Sequence, residues 1–399
     1  MQATILSGRA WLKALGSSFL QLLLLSQGVA IPFGQPSFAG PAPLPRLEWN
    51  GSEARLVQAG ADYGRIARLA NGSLGCVYDV RGKVWIRHST DGGHSWLDPV
   101  LVAEEDGCWL TNAELLLLRD GTLLYFWNER PLKAVRHQGR HASPGVLTRP
   151  FRIRMARSSD HGKTWSAPGT LHTAGNTFED GCWEPAGLEL PSGELHVYFA
   201  NESPFRATAE QEIALVRSPD RGRTWSHAER VAFRKNHRDG MPSPLLLAEG
   251  KGIVIAIEDN HEGGRFKPSI CRTSLTDNWR SGPVTEKSTN RWLALAKPLP
   301  ADWYAGAPCL RQLPSGATLL SFQESPDGTL DRCRMAVCVG DSEARNFSNK
   351  SYPLPLGPKR NQAWNSLFVK DPYTVIAVLT ATVNDIRGIW IVEGKVVQE

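Results

Sequence analysis

A turn motif that recurs three times is the feature that most restricts how this chain can fold. The pattern S-x-D-x-G-x-[ST]-W occupies residues 89–96, 158–165 and 218–225. Its aspartates are Asp91, Asp160 and Asp220, and a weaker copy contains Asp277. Successive aspartates are 69, 60 and 57 residues apart. Repeats of roughly this length that are built from short strands are typical of a β-propeller or a related array.

Glycine turns between two apolar runs mark the same repeat. They stand at residues 71–72, 120–121, 192–193, 249–250 and 315–316, and Asp371-Pro372 forms a sixth turn. Each unit therefore reads as four antiparallel strands, with the aspartate motif joining strands 3 and 4. We predict an all-β fold, a six-bladed β-propeller of four-stranded antiparallel blades. Residues 46–49 are expected to supply the outer strand of the last blade and to close the ring.

The repeated aspartates Asp91, Asp160, Asp220 and Asp277 are predicted to be structural. An aspartate in such a turn accepts hydrogen bonds from nearby backbone N–H groups, and the glycine supplies a positive φ. The tryptophan that ends each motif is suited to fill the space between neighbouring sheets. We therefore expect no catalytic role for these four side chains.

The first 30 residues are predicted to be a secretory signal peptide. They contain Arg9 and Lys13 but no acid, then an apolar core at 19–25, then small residues. The core is shorter than the ~20 residues that cross a bilayer as a helix. We expect a secreted protein with a Pro-rich tether at 31–45 and one catalytic propeller domain at 46–399.

Composition excludes several classes of partner. The formal charge of +5 is small and scattered, so we expect no nucleic-acid partner. The seven cysteines include no CxxC pair and the histidines lack zinc spacing, so we expect no metal site. The disulfide pairing stays open. No nucleotide-binding loop is present, so no cofactor is expected, and we predict a monomer with no membrane contact in its mature form.

The aspartate motifs resemble the Asp boxes of sialidases and related six-bladed propeller glycosidases. Two further motifs, C-W-E-P at 182–185 and I-V-I-A-I-E-D-N at 253–260, are more similar to the exo-α-1,5-L-arabinanases of glycoside hydrolase family 93. The resemblance implies a retaining enzyme with two catalytic glutamates, here Glu184 and Glu258. Residues 63–69 stand where sialidases carry Arg-Ile-Pro, with Ala67 in place of proline, and Arg65 would then contact the substrate.

Blade topology brings the two glutamates together without reference to any family. Glu184 precedes strand 1 of blade 3 and Glu258 ends strand 2 of blade 4, so both belong to the face opposite the aspartate turns. A retaining glycosidase needs its carboxyl groups about 5–5.5 Å apart, which neighbouring blades allow. Aligning the repeated D-G-C-W segments places Leu110 where blade 3 has Glu184. Glu129 and Glu324 align with Glu258.

The remaining pocket predictions rest on residues near the same blade ends. The predicted substrate-binding residues are Arg65, Asp106, Asp180, Trp183, Asp239 and Tyr304. The aspartates could bind sugar hydroxyls or cap loops, and the aromatics could stack on sugars or fill the blades; both alternatives stay open. The loop 130–150, with Arg130, Arg136, His137, Arg140 and His141, is expected either to wall the pocket or to be a solvated charged loop. The family pattern also implies a tyrosine near the nucleophile, for which Tyr304 and Tyr352 are candidates.

Three functions fit these observations. The favoured one is a secreted exo-glycosidase that hydrolyses terminal bonds of a polysaccharide, α-1,5-L-arabinan, by a two-glutamate double displacement. The second is an exo-α-sialidase, which needs a tyrosine nucleophile and a group of arginines around the substrate carboxylate; Arg65, Arg272 and Arg334 are its candidates. The third is a non-catalytic carbohydrate-binding propeller, in which Glu184 and Glu258 are dispensable.

Overall fold

The computed structural model describes residues 43–132, 149–260, 264–355 and 361–398. The predicted signal peptide, most of the tether and most of the 130–150 loop, including Arg136, His137, Arg140 and His141, lie outside these ranges. Within the described ranges, no helix has the length and apolar character needed to cross a bilayer.

The first three blades follow one another along the chain, each as a separate antiparallel sheet. Blade 1 contains β3 (Asp62–Arg68), β4 (Leu74–Val80), β5 (Lys83–Ser89) and β6 (Val100–Ala103). Blade 2 contains β7 (Cys108–Leu117), β8 (Leu123–Pro131), β9 (Arg152–Ser158) and β10 (Gly169–Thr173). Blade 3 contains β11 (Cys182–Glu189), β12 (Leu195–Asn201), β13 (Glu212–Ser218) and β14 (Glu229–Ala232).

The last three blades repeat the same order. Blade 4 contains β15 (Asp239–Leu247), β16 (Gly252–Asp259), β17 (Lys267–Thr273) and β18 (Arg291–Leu293). Blade 5 contains β19 (Tyr304–Gln312), β20 (Thr318–Ser325), β21 (Arg334–Gly340) and β22 (Ser348–Ser351). Blade 6 contains β23 (Ala363–Asp371), β24 (Thr374–Val383), β25 (Ile386–Val397) and β1 (Arg46–Trp49), with β2 (Arg55–Ala59) also paired to β25. The prediction of an all-β, six-bladed propeller is confirmed.

The ring closes by pairing the start of the described chain with its end. β1 runs antiparallel to β25, with Arg46 opposite Val397 and Trp49 opposite Gly394. This is the closing strand predicted from the sequence.

Apolar side chains fill the space between neighbouring blades. Within the described ranges, one buried cluster lies at each junction of adjacent blades, from blades 1 and 2 round to blades 6 and 1. The motif tryptophans join these clusters; Trp165 meets Tyr125 edge to face and Trp225 meets Phe126 in the same way. Burial of this apolar surface is the main force that holds the blades together.

Each aspartate motif forms the turn from strand 3 to strand 4 of its blade. In the second copy, Asp160 Oδ1 accepts hydrogen bonds from the N–H groups of Lys163 and Thr164, at 3.1 and 2.9 Å. Gly162 has a φ of +82°. Asp91 and Asp220 make the same contacts. In the weaker copy, Asp277 accepts from Ser281 and Thr273 instead.

A β-bulge interrupts the innermost strand of every blade at the same place. At each bulge one residue has a φ between 47° and 58°; the six residues are Tyr63, Asn112, Glu184, Met241, Ala307 and Trp364. Asn112, not Leu110, is therefore the counterpart of Glu184. The motif alignment was shifted by two residues because β7 begins two residues earlier relative to its bulge than β11 does.

Strand pairing next to the bulges also corrects the alignment of Glu258. The residues of strand 2 that pair just before each bulge are Asp79, Asn128, Ala200, Glu258, Gln323 and Thr380. Glu129 and Glu324 lie one residue later. Because side chains alternate along a strand, this shift of one residue puts them on the other face of the sheet. Glu129 there pairs with Arg152 and Arg154, and Glu324 with Lys350.

Candidate active site

Glu184 occupies the bulge of β11 and is held through both its backbone and its carboxylate. Its N–H donates to Asn128 Oδ1 at 2.8 Å, and its Oε2 accepts from the N–H of Met241 at 3.0 Å. The Asn128 amide also donates to the carbonyl of Cys182, so it bonds β11 on both sides of Trp183. These contacts fix Glu184 in a left-handed conformation, which is uncommon for a residue with a side chain.

Glu258 lies near the end of β16, in the next blade. Its Oε2 accepts a hydrogen bond from the N–H of Ala307 at 2.9 Å. Two glycines leave room for this carboxylate. A Cβ on Gly240 would come within 3.0 Å of Glu258 Oε1, and one on Gly306 would come within 2.5 Å of Oε2. The carboxylate is thus enclosed by the inner strands of blades 4 and 5.

The two glutamates line one open cavity of about 1260 Å³. Burial raises the pKa of Glu184 well above its ordinary value, and the nearby charge of Glu258 raises it further. The N–H of Met241 acts in the opposite direction by stabilising the carboxylate. Two interacting carboxyl groups of this kind can share the roles of proton donor and nucleophile.

Two tyrosines lie beside the glutamates. The hydroxyl of Tyr304 accepts a hydrogen bond from Gln323 at 3.0 Å, and its pKa is raised well above its ordinary value by burial and then by the charge of Glu258. Tyr63 stacks on Trp364 with ring centroids 4.8 Å apart, and its pKa is raised by burial and then by Glu184. Both phenols are therefore neutral at physiological pH.

The cavity is also lined by residues of blade 3, where the buried carboxylate of Glu202 binds several neighbouring side chains. Glu202 accepts a hydrogen bond from Trp183 Nε1 at 3.1 Å and pairs with Arg238. Gln211 Nε2 lies 3.5 Å from the same carboxylate. Trp183, predicted as a sugar-binding residue, thus lines the cavity with its indole N–H fixed in place.

Asp180 and Asp106 occupy different surroundings. Asp180 is buried and accepts a hydrogen bond from Thr177 Oγ1 at 2.6 Å, with Arg206 at 3.7 Å. It therefore caps the loop before β11, which is the second of the two roles that the sequence left open. Asp106 is exposed in the loop before β7.

Asp239 lies in a fully buried ion cluster rather than on the cavity wall. Its two oxygens accept from Arg291 at 2.7 and 2.6 Å, and Arg291 also pairs with Asp259. Arg234 completes the cluster through Asp259. The structure therefore does not place Asp239 where a sugar could reach it, because burial and a bidentate partner occupy its carboxylate.

Arg65 lies in β3, directly after the bulge at residues 63–64. Its guanidinium donates to the carbonyls of Gly64 and Trp364 at 2.9 and 3.0 Å and lies 3.4 Å from Glu114. It lines a small cavity of about 380 Å³ that also contains Glu184 and Tyr63. Arg65 therefore reaches the vicinity of the site, with most of its donors directed to the protein itself.

The other two arginines considered for a carboxylate grip have separate partners. Arg272 pairs with Glu343 and donates to the carbonyl of Lys251 at 2.7 Å, on the side of the glycine turns. Arg334 lies 3.4 Å from Glu324, and its guanidinium is 3.5 Å from the ring centre of Tyr352. The structure does not bring these two arginines together with Arg65.

Sequence reasoning missed Tyr63 and Asn128. Tyr63 is the blade 1 counterpart of Glu184. This equivalence is visible only once the bulges are aligned. Asn128 is a polar residue directly after the apolar run 123–127 of β8, and it is fully buried. A polar side chain at the buried end of an apolar strand is a signal that could have identified it. No group of His, Cys, Asp or Glu in the described ranges could hold a metal ion.

All seven cysteines lie in the described ranges and are buried, and the structure forms no disulfide among them.

A family model matches the part of the chain that contains the candidate site. Residues 150–296 match the BNR repeat-like domain family. The matched segment runs from the end of the loop before β9 to just after β18, and so contains both Glu184 and Glu258. A search of curated protein sequences finds no match.

Solved structures share the fold of the whole propeller. An α-L-arabinofuranosidase from Fusarium graminearum, in complex with an iminosugar inhibitor, has a TM-score of 0.61 and 17% identity over 90% of this chain and 98% of that one. A Penicillium chrysogenum α-L-arabinanase, complexed with arabinobiose, gives 0.60 and 15% over 89% and 98%. A Streptococcus pneumoniae sialidase gives 0.54 and 12% over 86% and 70%. The fold is that of sialidase-like propellers, as the motifs predicted.

Proposed function

We propose that the protein is a retaining exo-glycosidase in which Glu184 is the acid/base and Glu258 the nucleophile. One observation carries this proposal: carboxylates from two adjacent blades line one open cavity, and the charge of Glu258 raises the pKa of Glu184. The fold shared with an arabinofuranosidase, an arabinanase and a sialidase supports glycoside hydrolysis as the reaction class.

The reaction proceeds in two displacements at the anomeric carbon. In the first, a Glu258 oxygen forms a bond to this carbon while the bond to the leaving oxygen breaks and Glu184 gives that oxygen its proton. In the second, Glu184 takes a proton from water, and the water oxygen replaces Glu258 on the carbon. The two inversions return the original configuration, and both glutamates recover their starting protonation states.

The surroundings of the two glutamates match these different roles. A raised pKa keeps Glu184 protonated at the pH where Glu258 must attack as an anion, and Glu184 lines the cavity next to Trp183. Glu258 is enclosed by Gly240 and Gly306, so its carboxylate is held in place for attack. Groups fixed in a reactive orientation lower the entropic part of the barrier.

The charge of the cavity supports a neutral sugar chain as substrate. Its described lining includes five glutamates and two arginines; these are Glu179, Glu184, Glu202, Glu210, Glu258, Arg206 and Arg238. Arg238 is already paired with one of these glutamates, and Arg206 lies close to Asp180. An anionic sugar would meet net negative charge here. Arabinan is uncharged, and Trp183 and Phe266 offer apolar surface for its rings.

A second candidate function, sialidase activity, is favoured by one contact. The hydroxyl of Tyr304 lies next to Glu258 around Gly306, which is the pairing that a tyrosine nucleophile with a glutamate base requires. Against it, the described arginines do not converge on one point in the cavity. The first reading therefore has the stronger support.

Parallel incubation with linear α-1,5-arabinan and sialyllactose, followed by product analysis, tests the proposal. We expect arabinose or a short arabinooligosaccharide from the first substrate and no release from the second. Glu184→Gln and Glu258→Gln should abolish release, whereas Glu105→Gln, which changes an exposed acid in the loop before β7, should not. Release of sialic acid would establish the second candidate. Binding of either glycan without turnover would establish a carbohydrate-binding propeller.

Export is part of the same proposal, since a polysaccharide substrate lies outside the cell. The observation behind it is the sequence of residues 1–30. Expression of the full chain in a secreting host should give a mature protein in the medium that begins after residue 30. Retention of residues 1–30 on the isolated protein would contradict it.

A further inference from the structure

At four of the six bulges the left-handed residue donates its N–H to a side chain from strand 2 of the preceding blade. Asn128 accepts from Glu184 at 2.8 Å, and Gln323 accepts from Trp364 at 2.9 Å. Glu258 accepts from Ala307 at 2.9 Å. The N–H of Asn112 is bonded in the same way by Asp79. Four of the junctions between blades thus use a polar side chain at one equivalent position.

The other two junctions differ. Between blades 6 and 1 the equivalent residue is Thr380, whose buried Oγ1 has no hydrogen-bond partner. Between blades 3 and 4 a polar side chain is missing from this position. The equivalent residue of strand 2 is Ala200, which pairs with Trp183 and is fully buried. A methyl group cannot accept a hydrogen bond. The N–H of Met241 instead donates its hydrogen bond to the carboxylate of Glu184, at 3.0 Å. A buried N–H without a partner would cost about 1–3 kcal/mol, so this junction has a stabilising reason to hold Glu184.

We propose that Ala200 is a positioning residue: because it offers no acceptor, it leaves the N–H of Met241 to bind and orient the carboxylate of Glu184. This inference rests on the proposed function, in which Glu184 is the acid/base. Both catalytic carboxylates are then oriented by the same kind of contact, a hydrogen bond from the N–H of the bulge in the following blade. Glu184 uses that of Met241, and Glu258 uses that of Ala307.

Asn128 shows what a polar residue at position 200 would do. It occupies the same place one blade earlier, and its Oδ1 reaches the N–H of the next bulge. An asparagine at 200 would therefore compete with Glu184 for the N–H of Met241. Glu184 would lose the hydrogen bond that favours its charged form, and its carboxylate would turn away from the position where it faces Glu258.

The test compares Ala200→Asn with Ala200→Leu, which has a similar size but no acceptor. The glutamate side-chain carboxyls are labelled with ¹³C and titrated by NMR, and the Glu184 signal is assigned by its loss in Glu184→Gln. We expect Ala200→Asn to raise the titration midpoint of Glu184 by about one unit, as the loss of one hydrogen bond to the anion does. Ala200→Leu should give a clearly smaller shift, since Met241 still has Glu184 as its acceptor.

Kinetics on an aryl arabinoside provide the second readout. Ala200→Asn should lower kcat about 10- to 100-fold with little change in KM, and should move the alkaline limb of the rate profile to higher pH. Thermal melting checks that each variant is folded. An unchanged Glu184 titration in folded Ala200→Asn would overturn the proposal, as would equal shifts in both variants, which would indicate crowding. The titration needs no turnover, so it decides the inference even if the wild-type protein hydrolyses no glycoside.

Discussion

Glu258 and Tyr304 meet over the α-carbon of Gly306, in the space that a side chain on this residue would occupy. An added Cβ would come within 2.5 Å of Glu258 Oε2 and would also overlap the Tyr304 hydroxyl. Because Gly306 of blade 5 has no side chain, Tyr304 from the same strand can approach the carboxylate of Glu258 from blade 4. The catalytic proposal depends on this space.

Gly306→Ala should reduce activity sharply while leaving the fold intact. Its φ is not in the left-handed region, so alanine can adopt the backbone, and the cost comes from overlap with Glu258 and Tyr304. Such overpacking costs about 1–3 kcal/mol of stability. We expect kcat to fall at least tenfold in assays on arabinooligosaccharides. Gly169→Ala is the matched control, because its nearest neighbour would be 3.8 Å away, and a similar loss there would contradict the explanation.

Glu258→Gln and Glu258→Ala should differ in stability and agree in activity. A glutamine can still accept the N–H of Ala307, as Gln323 does for the next blade, so this variant should melt near the wild-type temperature. The alanine variant leaves that N–H unpaired and should lose about 1–3 kcal/mol. Both should be inactive, because neither can attack carbon. Azide should restore turnover to Glu258→Ala with an inverted product. Substantial wild-type activity in Glu258→Gln would refute the nucleophile assignment.

The pH profile should lose its alkaline limb when Glu184 is replaced. The pKa of Glu184 is raised by burial and by Glu258, so the wild-type acid stays protonated until the pH rises through that value, and the rate then falls. Glu184→Gln, which can still accept from Met241, should act only on activated aryl glycosides, because their leaving groups need little protonation. Azide should give a product of retained configuration with Glu184→Ala. A wild-type alkaline limb that persists in Glu184→Gln would assign it to another group.

Acid should destabilise the fold through His196, which lies far from the site in β12. Its ring contacts the Tyr198 hydroxyl and Glu194 Oε1, both at 2.7 Å, and burial lowers its pKa to about 4. An unfolded histidine titrates near pH 6.5. Between pH 6.5 and pH 4 the unfolded chain therefore binds more protons than the folded one, and the free energy of unfolding decreases as the pH is lowered, by on the order of 3 kcal/mol in total. Urea unfolding at pH 7 and 4.5 should show this loss, and His196→Gln should reduce it. His94→Gln, at an exposed site in the first aspartate turn, is the control substitution.

The fold could be predicted from the sequence because its signals are local. Each aspartate turn and each glycine turn is a short segment whose geometry is set by its own residues, as the contacts of Asp160 illustrate. The number of blades follows from counting such turns. Closure by β1 followed from its position before the first complete blade.

The site was only partly predictable, because its details depend on strand register. The two glutamates were assigned to neighbouring blades from topology alone, and the structure brings them to one cavity. Their internal counterparts were misaligned, since a bulge shifts the pairing without leaving a fixed mark in the sequence. Asp239 was grouped with Asp106 and Asp180 by position, yet it is buried against Arg291, a partner 52 residues away. A long-range ion pair of this kind has no local signal.

The pairing of β1 and β2 with β25 has a consequence for how the protein is made. The first two strands of the propeller to leave the ribosome pair with residues 386–397, which are synthesised last. Blades 1 to 5 can form their sheets in order as the chain grows, but these two strands wait for more than 300 residues without their partner. A chaperone that shields β-edges during synthesis should therefore matter most for residues 46–59, and late ring closure should be the slow step in refolding.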